Sequence, residues 1–190
     1  MAVLQTLTVI PKTFGELATK LLTIVVNAAS FYKCKRLDFV CDRYPRQSIK
    51  NLERARRTAS GVQVIRIYSE QQKAPRQWKK FMSSGDNKEE LIKFIFNTWR
   101  KADPQLLKGV EIFLAHGEHC HRLFDSNGET ICSEIRELYC DHEEADTRLI
   151  LHAMHASLSY PNVIIKSPDT DVLLIELKWA LMLISCLKLA

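Results

Sequence analysis

The sequence predicts an α/β protein with a mostly parallel central sheet that helices cover on both faces. Three short apolar segments, LDFVCD, VEIFLAH and NVIIK, are typical of buried strands, and they alternate with longer segments whose apolar residues recur at helical spacing. This alternation favours parallel strands, because a parallel pair needs a long crossover connection. Asn127-Gly128 lies between alternating residues and predicts a β-hairpin inserted into the pattern.

Capping patterns predict where the first helices begin. Thr13 and Glu16 fit a capping box that opens a helix ending near Ser30. Asp86 and Glu89 repeat the pattern ahead of a second helix. This helix is expected to turn one apolar face to the core, formed by Leu91, Ile92, Ile95, Phe96 and Trp99.

A third helix and a loop complete the elements. Asp141 and Glu144 form another acidic capping pair, which opens the helix containing LILHAMHASL, and Pro161 ends it. The residues from Ser69 to Gly85 are mostly polar and have no clean period, so they are expected to form a loop.

Composition is that of a globular protein, with 46% hydrophobic and 26% charged residues. The net charge of +5 permits a polyanionic partner without requiring one. Six cysteines without CxxC spacing, and no secretory signal, favour free thiols in an intracellular protein, nuclear or cytoplasmic. No membrane span is expected, because the uncharged run Trp179–Leu187 is far shorter than the ~20 residues a bilayer requires.

Carboxylates gather at the expected ends of strands and starts of helices. Asp42 closes LDFVCD, while Asp169 and Asp171 follow NVIIK. Glu144 and Asp146 belong to DHEEADTR, at the start of a helix. The ordinary structural explanation is helix capping for DHEEADTR and a turn for Asp169 after Pro168. Capping explains three separate acidic points along one sheet edge less well than a shared ligand does.

Five convergent carboxylates would need cations to balance their mutual repulsion. Ligands that are all oxygen select Mg²⁺ or Mn²⁺ over zinc. Such ions activate a water molecule and neutralise charge on a phosphodiester, which predicts hydrolysis of nucleic acid.

A basic segment follows the first of these carboxylates. From Lys33 to Arg57 there are nine Lys or Arg residues against three Asp or Glu. A solvated basic helix is the ordinary explanation for such a run. Its position directly after Asp42 favours phosphate contact instead.

These motifs carry a resemblance to a known family. The order FVCDRYPRQSIKNLERARR, EEADTRL and VIIKSPDTDVLL resembles the PIN-like nuclease fold of the flap endonuclease superfamily. Together with TFGELA and PRQWKKFMSSGDNKEELIKF, they are more closely similar to a group of uncharacterised animal proteins, often associated with mobile elements, that carry that domain. The resemblance implies a three-layer α/β/α fold over residues 1–175, followed by a divergent apolar tail over residues 176–190.

The resemblance also implies roles for individual residues. Metal binding and catalysis would fall to Asp42, Glu144, Asp146, Asp169 and Asp171. Phosphate contacts, to DNA or RNA, would come from Arg43, Lys50, Arg54 and Arg57. In the family the first strand ends in Asp-Gly just before a segment like MAVLQTL, and further strands follow the position of Leu174. The chain is therefore expected to be incomplete at both ends.

Other histidines and cysteines are weaker candidates. His116, His119, Cys120 and His121 match no standard zinc spacing, and alternate residues in a hairpin point to opposite faces, so zinc is not expected. His152 is expected to be a packed or surface histidine, as is His155. Two rival hypotheses remain: an inactive module that binds nucleic acid or protein, and a chain that does not fold stably without its flanking segments.

Overall fold

A computed structural model of the 190-residue chain describes residue 7, residues 9–44 and residues 63–167. Four helices lie within these ranges: α1 (Phe14–Phe31), α2 (Trp78–Met82), α3 (Gly85–Trp99) and α4 (Ala145–Ser157). Four strands accompany them: β1 (Arg36–Phe39), β2 (Glu111–His116), β3 (His119–Ser126) and β4 (Glu129–Glu134). Two short 3-10 helices, Pro104–Leu107 and Arg136–Leu138, lie in the connections.

Helix α1 begins at the predicted capping box. The Thr13 hydroxyl accepts a hydrogen bond from the Glu16 amide at 3.2 Å, and the Glu16 carboxylate accepts one from the Thr13 amide at 3.3 Å. By length and composition alone α1 is long and apolar enough to cross a membrane, yet half of it is buried within the protein. A core helix has the same properties, and the buried face of α1 forms the centre of the core.

Helix α3 confirms the predicted apolar face, since all five of its predicted residues are buried. Its start differs from the expectation, because Ser84 caps it by accepting the Asn87 amide. The expected loop from Ser69 to Gly85 also contains the short helix α2, whose Phe81 is buried.

The sheet is mostly antiparallel, which corrects the predicted parallel arrangement for the described part of the chain. Its strand order is β1-β2-β3-β4, and only β1 and β2 run parallel. The predicted turn Asn127-Gly128 joins β3 to β4, with φ of 55° and 80° at its two residues. A second two-residue connection, Gly117-Glu118, joins β2 to β3 and reverses the chain, which makes this pair antiparallel.

The segment NVIIK is not a strand in the structure, so this prediction is wrong for the described residues. Residues 161–167 have no regular structure, and Val163 and Ile164 are 41% and 58% exposed. A strand exists only when a neighbour pairs with its backbone, and none of the described strands pairs with this segment.

Alternate residues of β2 face two different apolar clusters. Ile112 and Leu114 join α1 and α3 in the main core, where the Trp99 indole donates to the Ala18 carbonyl at 2.9 Å. Phe113 joins a smaller cluster with Cys120 and Leu138, against which Leu151 of α4 packs. The chain is therefore a mixed α/β protein in which β2 connects the two clusters.

Candidate metal and nucleic-acid site

The start of α4 meets the chain at Asp42, which lies just after β1, because the strand ends at Phe39 and not at Asp42 as predicted. One carboxylate oxygen of Asp42 accepts the Ala145 amide at 3.0 Å, and the other accepts the Tyr44 hydroxyl at 2.9 Å. The next residue, Arg43, donates its amide to the Glu143 carbonyl at 2.8 Å. Asp42 and Arg43 thus hold the start of α4, which is distant in sequence, against the end of the strand segment.

The acidic start of α4 differs in detail from its prediction. Glu144 is the N-cap residue, but its side chain makes no capping hydrogen bond. Asp42 instead satisfies the first helical amide from another part of the chain. Asp146 lies in the first turn, where the helix dipole favours a negative charge.

Arg43 lies at this junction with its guanidinium held by the protein. It donates to the Asp141 carbonyl at 2.6 Å and forms an ion pair with Glu118. Both partners belong to the surface around the acidic segment. Arg43 therefore connects the strand end, the β2–β3 turn and the residues before α4.

The remaining predicted site residues lie outside the described residues. They are Asp169 and Asp171 of the second acidic motif, and Lys50, Arg54 and Arg57 of the basic segment. Of the described residues, no group of three or more His, Cys, Asp or Glu side chains is arranged to hold a metal ion. The structure thus brings Asp42 to the acidic helix start without forming a closed ligand set from described side chains.

A polar cavity of about 490 Å³ adjoins this junction through Arg43 and Tyr44. Both signs of charge line it, with Arg66 and Lys93 facing it as well as Glu89 and Glu90. Burial raises the pKa of the Glu89 carboxyl, while the charges of Arg148 and Arg43 act in the opposite direction. The sequence pattern gave no reason to select Glu89, because its acidic neighbours suggested only a helix start.

A row of polar contacts joins α4 to β1, and we call it the polar seam: Arg148, His152 and His155 of the helix with Cys41, Asp38 and Arg36 of the strand side. Arg148 donates to the Cys41 carbonyl at 3.1 Å. His152 Nδ1 donates to Asp38 at 2.7 Å, and Arg36 donates to His155 Nδ1 at 2.9 Å. Arg148 and His152 are 1% and 2% exposed.

Within the polar seam, His152 and Arg36 stabilise the charge of Asp38. Burial alone would raise the pKa of the Asp38 carboxyl, but the hydrogen bonds from His152 and Arg36 outweigh it and hold that pKa below its usual value. Arg36 grips Asp38 through two nitrogens, each at 2.8 Å, and its guanidinium also lies 3.8 Å from the Phe113 ring centroid. Asp38 is thus a carboxylate acceptor that Arg36 holds in a fixed position against α4.

The polar seam was not predicted from the sequence, although the signal was present. Arg148, His152 and His155 recur at helical spacing, which places them on one face of α4. We expected the two histidines to be packed or surface residues because the neighbouring positions are apolar. Their partners on β1 lie more than a hundred positions away, so only the fold identifies them.

Three histidines of the β2–β3 hairpin share one face of the sheet. His116 lies directly opposite His119, and His121 is two residues further along β3. Cys120 points to the other face, in the cluster with Phe113. Burial lowers the pKa of His116 to about 4, and the nearby charges of His121 and Lys93 act in the same direction.

Comparison of the chain with models of protein families, with curated proteins and with solved structures found no match.

Proposed function

We propose that the chain carries a PIN-like, divalent-metal-dependent nuclease site that cleaves phosphodiester bonds in nucleic acid. One observation carries the proposal: the carboxylate of Asp42 bonds to the first amide of α4, 3.0 Å away. Ala145 lies between Glu144 and Asp146 in the sequence, and the resemblance implies the same role for those two residues as for Asp42. Helix capping alone does not account for the Asp-x-Asp motif that follows in the sequence.

The donor set fits the proposed ion. Asp42, Glu144 and Asp146 offer only carboxylate oxygens, which Mg²⁺ and Mn²⁺ prefer. Asp169 and Asp171 would complete the ligand set, because two acids at alternate positions of an extended segment face the same way. When bound, the ion would supply an activated water and neutralise charge on the phosphodiester.

The chain's own residues would hold the substrate. Arg43 is adjacent to Asp42 and already bridges three segments of the site. Arg66 and Lys93 line the neighbouring polar cavity and could contact phosphate, although Glu89 and Glu90 line the same cavity. The resemblance implies phosphate contacts from Lys50, Arg54 and Arg57 as well.

The proposal includes the finer fold that the resemblance implies, a three-layer arrangement with a larger parallel sheet. Residues 160–166 lie opposite Arg36, Leu37 and Asp38 across a cavity of about 450 Å³. NVIIK has no regular structure, and the finer fold would require it to pair beside β1. Pairing there would direct Asp169 and Asp171 toward the carboxyl end of β1.

A second candidate is an inactive module that binds nucleic acid or protein. One observation favours it: both carboxylate oxygens of Asp42 already accept hydrogen bonds, from Ala145 and Tyr44. A metal would have to compete with these donors. In this alternative Asp42 serves only to fix the start of α4.

Cleavage by the purified chain tests the proposal and separates the two candidates. End-labelled single-stranded, duplex and flap substrates of DNA and RNA are incubated with Mg²⁺, Mn²⁺ or EDTA. The matched variants are Asp42→Asn, which keeps an oxygen for the Ala145 amide, and Asp125→Asn at the β3–β4 hairpin. We expect cleavage that requires the ion, disappears in Asp42→Asn and persists in Asp125→Asn.

Other outcomes would reject the nuclease. Binding that weakens with salt but never proceeds to cleavage would support the inactive module. Cleavage that survives both EDTA and Asp42→Asn would come from a contaminant or from a different site.

A further inference from the structure

We propose that His152 is a positioning residue, which fixes α4 against β1 through Asp38 and thereby holds the acidic start of α4 at Asp42. The metal-binding part of this inference rests on the proposed function. Its structural part does not, because it concerns only the contact between Asp42 and Ala145.

Successive residues along α4 bond to residues that come in reverse order along the β1 segment. Ala145 bonds to Asp42, Arg148 to Cys41, His152 to Asp38 and His155 to Arg36. The helix thus runs antiparallel to the strand and is bonded to it from one end to the other. These contacts extend over roughly 15 Å of the helix, from Ala145 to His155, and over roughly 20 Å of the strand segment, from Arg36 to Asp42.

Apolar packing alone does not fix the position of α4 as closely. Its four buried residues are Arg148, Ile150, His152 and Ala156, so two of them are polar. Apolar contacts tolerate a small slide of one element along another, since they have no preferred direction. A hydrogen bond in a buried site does not tolerate it, because a shift of an ångström or so leaves a donor unpaired.

His152 is the member of the polar seam best placed to set the position of the helix. It lies near the middle of α4, it is almost fully buried, and its acceptor Asp38 cannot turn away because Arg36 grips it through two nitrogens. From His152 to Ala145 the helix is a rigid rod of about two turns. A displacement at His152 is therefore passed to the start of α4, where Glu144 and Asp146 lie.

Three substitutions at one position test the inference in the full chain. His152→Leu removes the donor and keeps the volume approximately. His152→Asn places an amide nitrogen where imidazole Nδ1 lies, so it restores the bond to Asp38. His152→Gln places its amide further out, near Nε2, and serves as a polar variant without that bond.

The first measurement is hydrogen exchange of the Ala145 and Arg43 amides in EDTA. These amides donate to Asp42 and Glu143, so their protection reports how closely the start of α4 is held. We expect protection to fall by about tenfold or more in His152→Leu and His152→Gln, and to recover in His152→Asn. Protection in α1, measured in the same spectra, should not change.

The second measurement is the Mn²⁺ dissociation constant by calorimetry. Loss of a residue that orients metal ligands typically weakens metal binding by about 10–100-fold, so we expect that range for His152→Leu and recovery in His152→Asn. A residue needed only for stability would shift the unfolding transition without this pattern of rescue.

The outcomes separate the two claims. Unchanged protection at Ala145 and Arg43 in His152→Leu would overturn the inference, whatever the protein binds. If His152→Leu does not fold, the other two variants decide. Equal protection of the Ala145 and Arg43 amides in His152→Gln and His152→Asn would then overturn the inference. A wild-type chain that binds no Mn²⁺, but loses protection as described, would reject the proposed function and leave the positioning role intact.

Discussion

Individual ionisable side chains determine how this protein responds to acid. His116 stacks on Phe96, with ring centroids 5.6 Å apart, and burial holds its pKa at about 4, below the ordinary value of 6.5. The folded protein therefore resists protonating His116, whereas the unfolded chain accepts the proton near pH 6.5. Stability must fall as the pH drops from 6.5 toward 4, and the loss ends below the folded pKa.

The substitution His116→Leu removes this proton-linked loss. We expect the wild-type free energy of unfolding to drop between pH 6.5 and pH 4 by roughly 2 kcal/mol more than that of the variant, after allowing for partial exposure of the imidazole. Urea titrations at several pH values measure the difference. Burial also lowers the pKa values of His121 and His155, but these groups titrate in both proteins and cancel from the comparison.

The matched control is His142→Leu, the same change at an exposed histidine. An equal drop in the wild type and in His116→Leu would show that His116 titrates normally in the folded protein.

Side-chain chemistry also explains which site residues the sequence could identify. Asp42 and the helix-start acids were predicted from charge beside apolar segments, and the contact between Asp42 and Ala145 brings that strand end and that helix start together. Glu89 and the Asp38–His152 pair were missed. Their significance comes from burial and from partners distant in sequence, which local composition does not contain.

At the scale of elements, α1 begins where the chain approaches another segment closely. A Cβ added to Gly15 would lie 2.7 Å from the Glu70 Cβ and 2.9 Å from the Glu70 carbonyl oxygen. The Gly15 amide donates to that same carbonyl at 2.9 Å, so the two backbones have little room to separate. This glycine is required by contact and not by its φ angle.

Gly15→Ala tests the close approach. In an unobstructed helix the change stabilises by about 1 kcal/mol, because alanine has the higher helix propensity. Here we expect a loss of about 1–3 kcal/mol from overpacking against Glu70. Urea denaturation gives the sign directly.

Thr19→Ala, on the exposed side of the same helix, serves as the matched control and should not destabilise the protein. A stabilised Gly15→Ala protein would mean that α1 and the residue 70 region are not in contact in solution.

Local chemistry predicted some elements well and others poorly, for a physical reason. The Thr13 capping box and the Asn127-Gly128 hairpin depend on neighbouring residues, and both are confirmed. The direction of β3 relative to β2 depends on the short connection at Gly117, which we did not recognise as a turn. NVIIK has the composition of a strand, but composition cannot supply a partner.

At the scale of the whole molecule, the chain is a mixed α/β protein whose acidic junction lies where β1 ends. The coarse class followed from alternating periodicities, whereas the mostly antiparallel order of the described sheet did not. The polar seam and the contact between Asp42 and Ala145 then place α4 along β1. This placement makes the junction a candidate ligand site despite the distance between its parts in sequence.

The central claim is that the acidic residues at this junction bind a divalent cation together with Asp169 and Asp171. Calorimetric titration of the full chain with Mn²⁺ tests it most directly. The variants are Asp42→Asn and the double substitution Asp169→Asn with Asp171→Asn, and Asp125→Asn is the control. We predict one binding event that both site variants abolish and the control retains. A folded wild-type chain that binds no Mn²⁺, or that binds it equally well in all variants, would contradict the account.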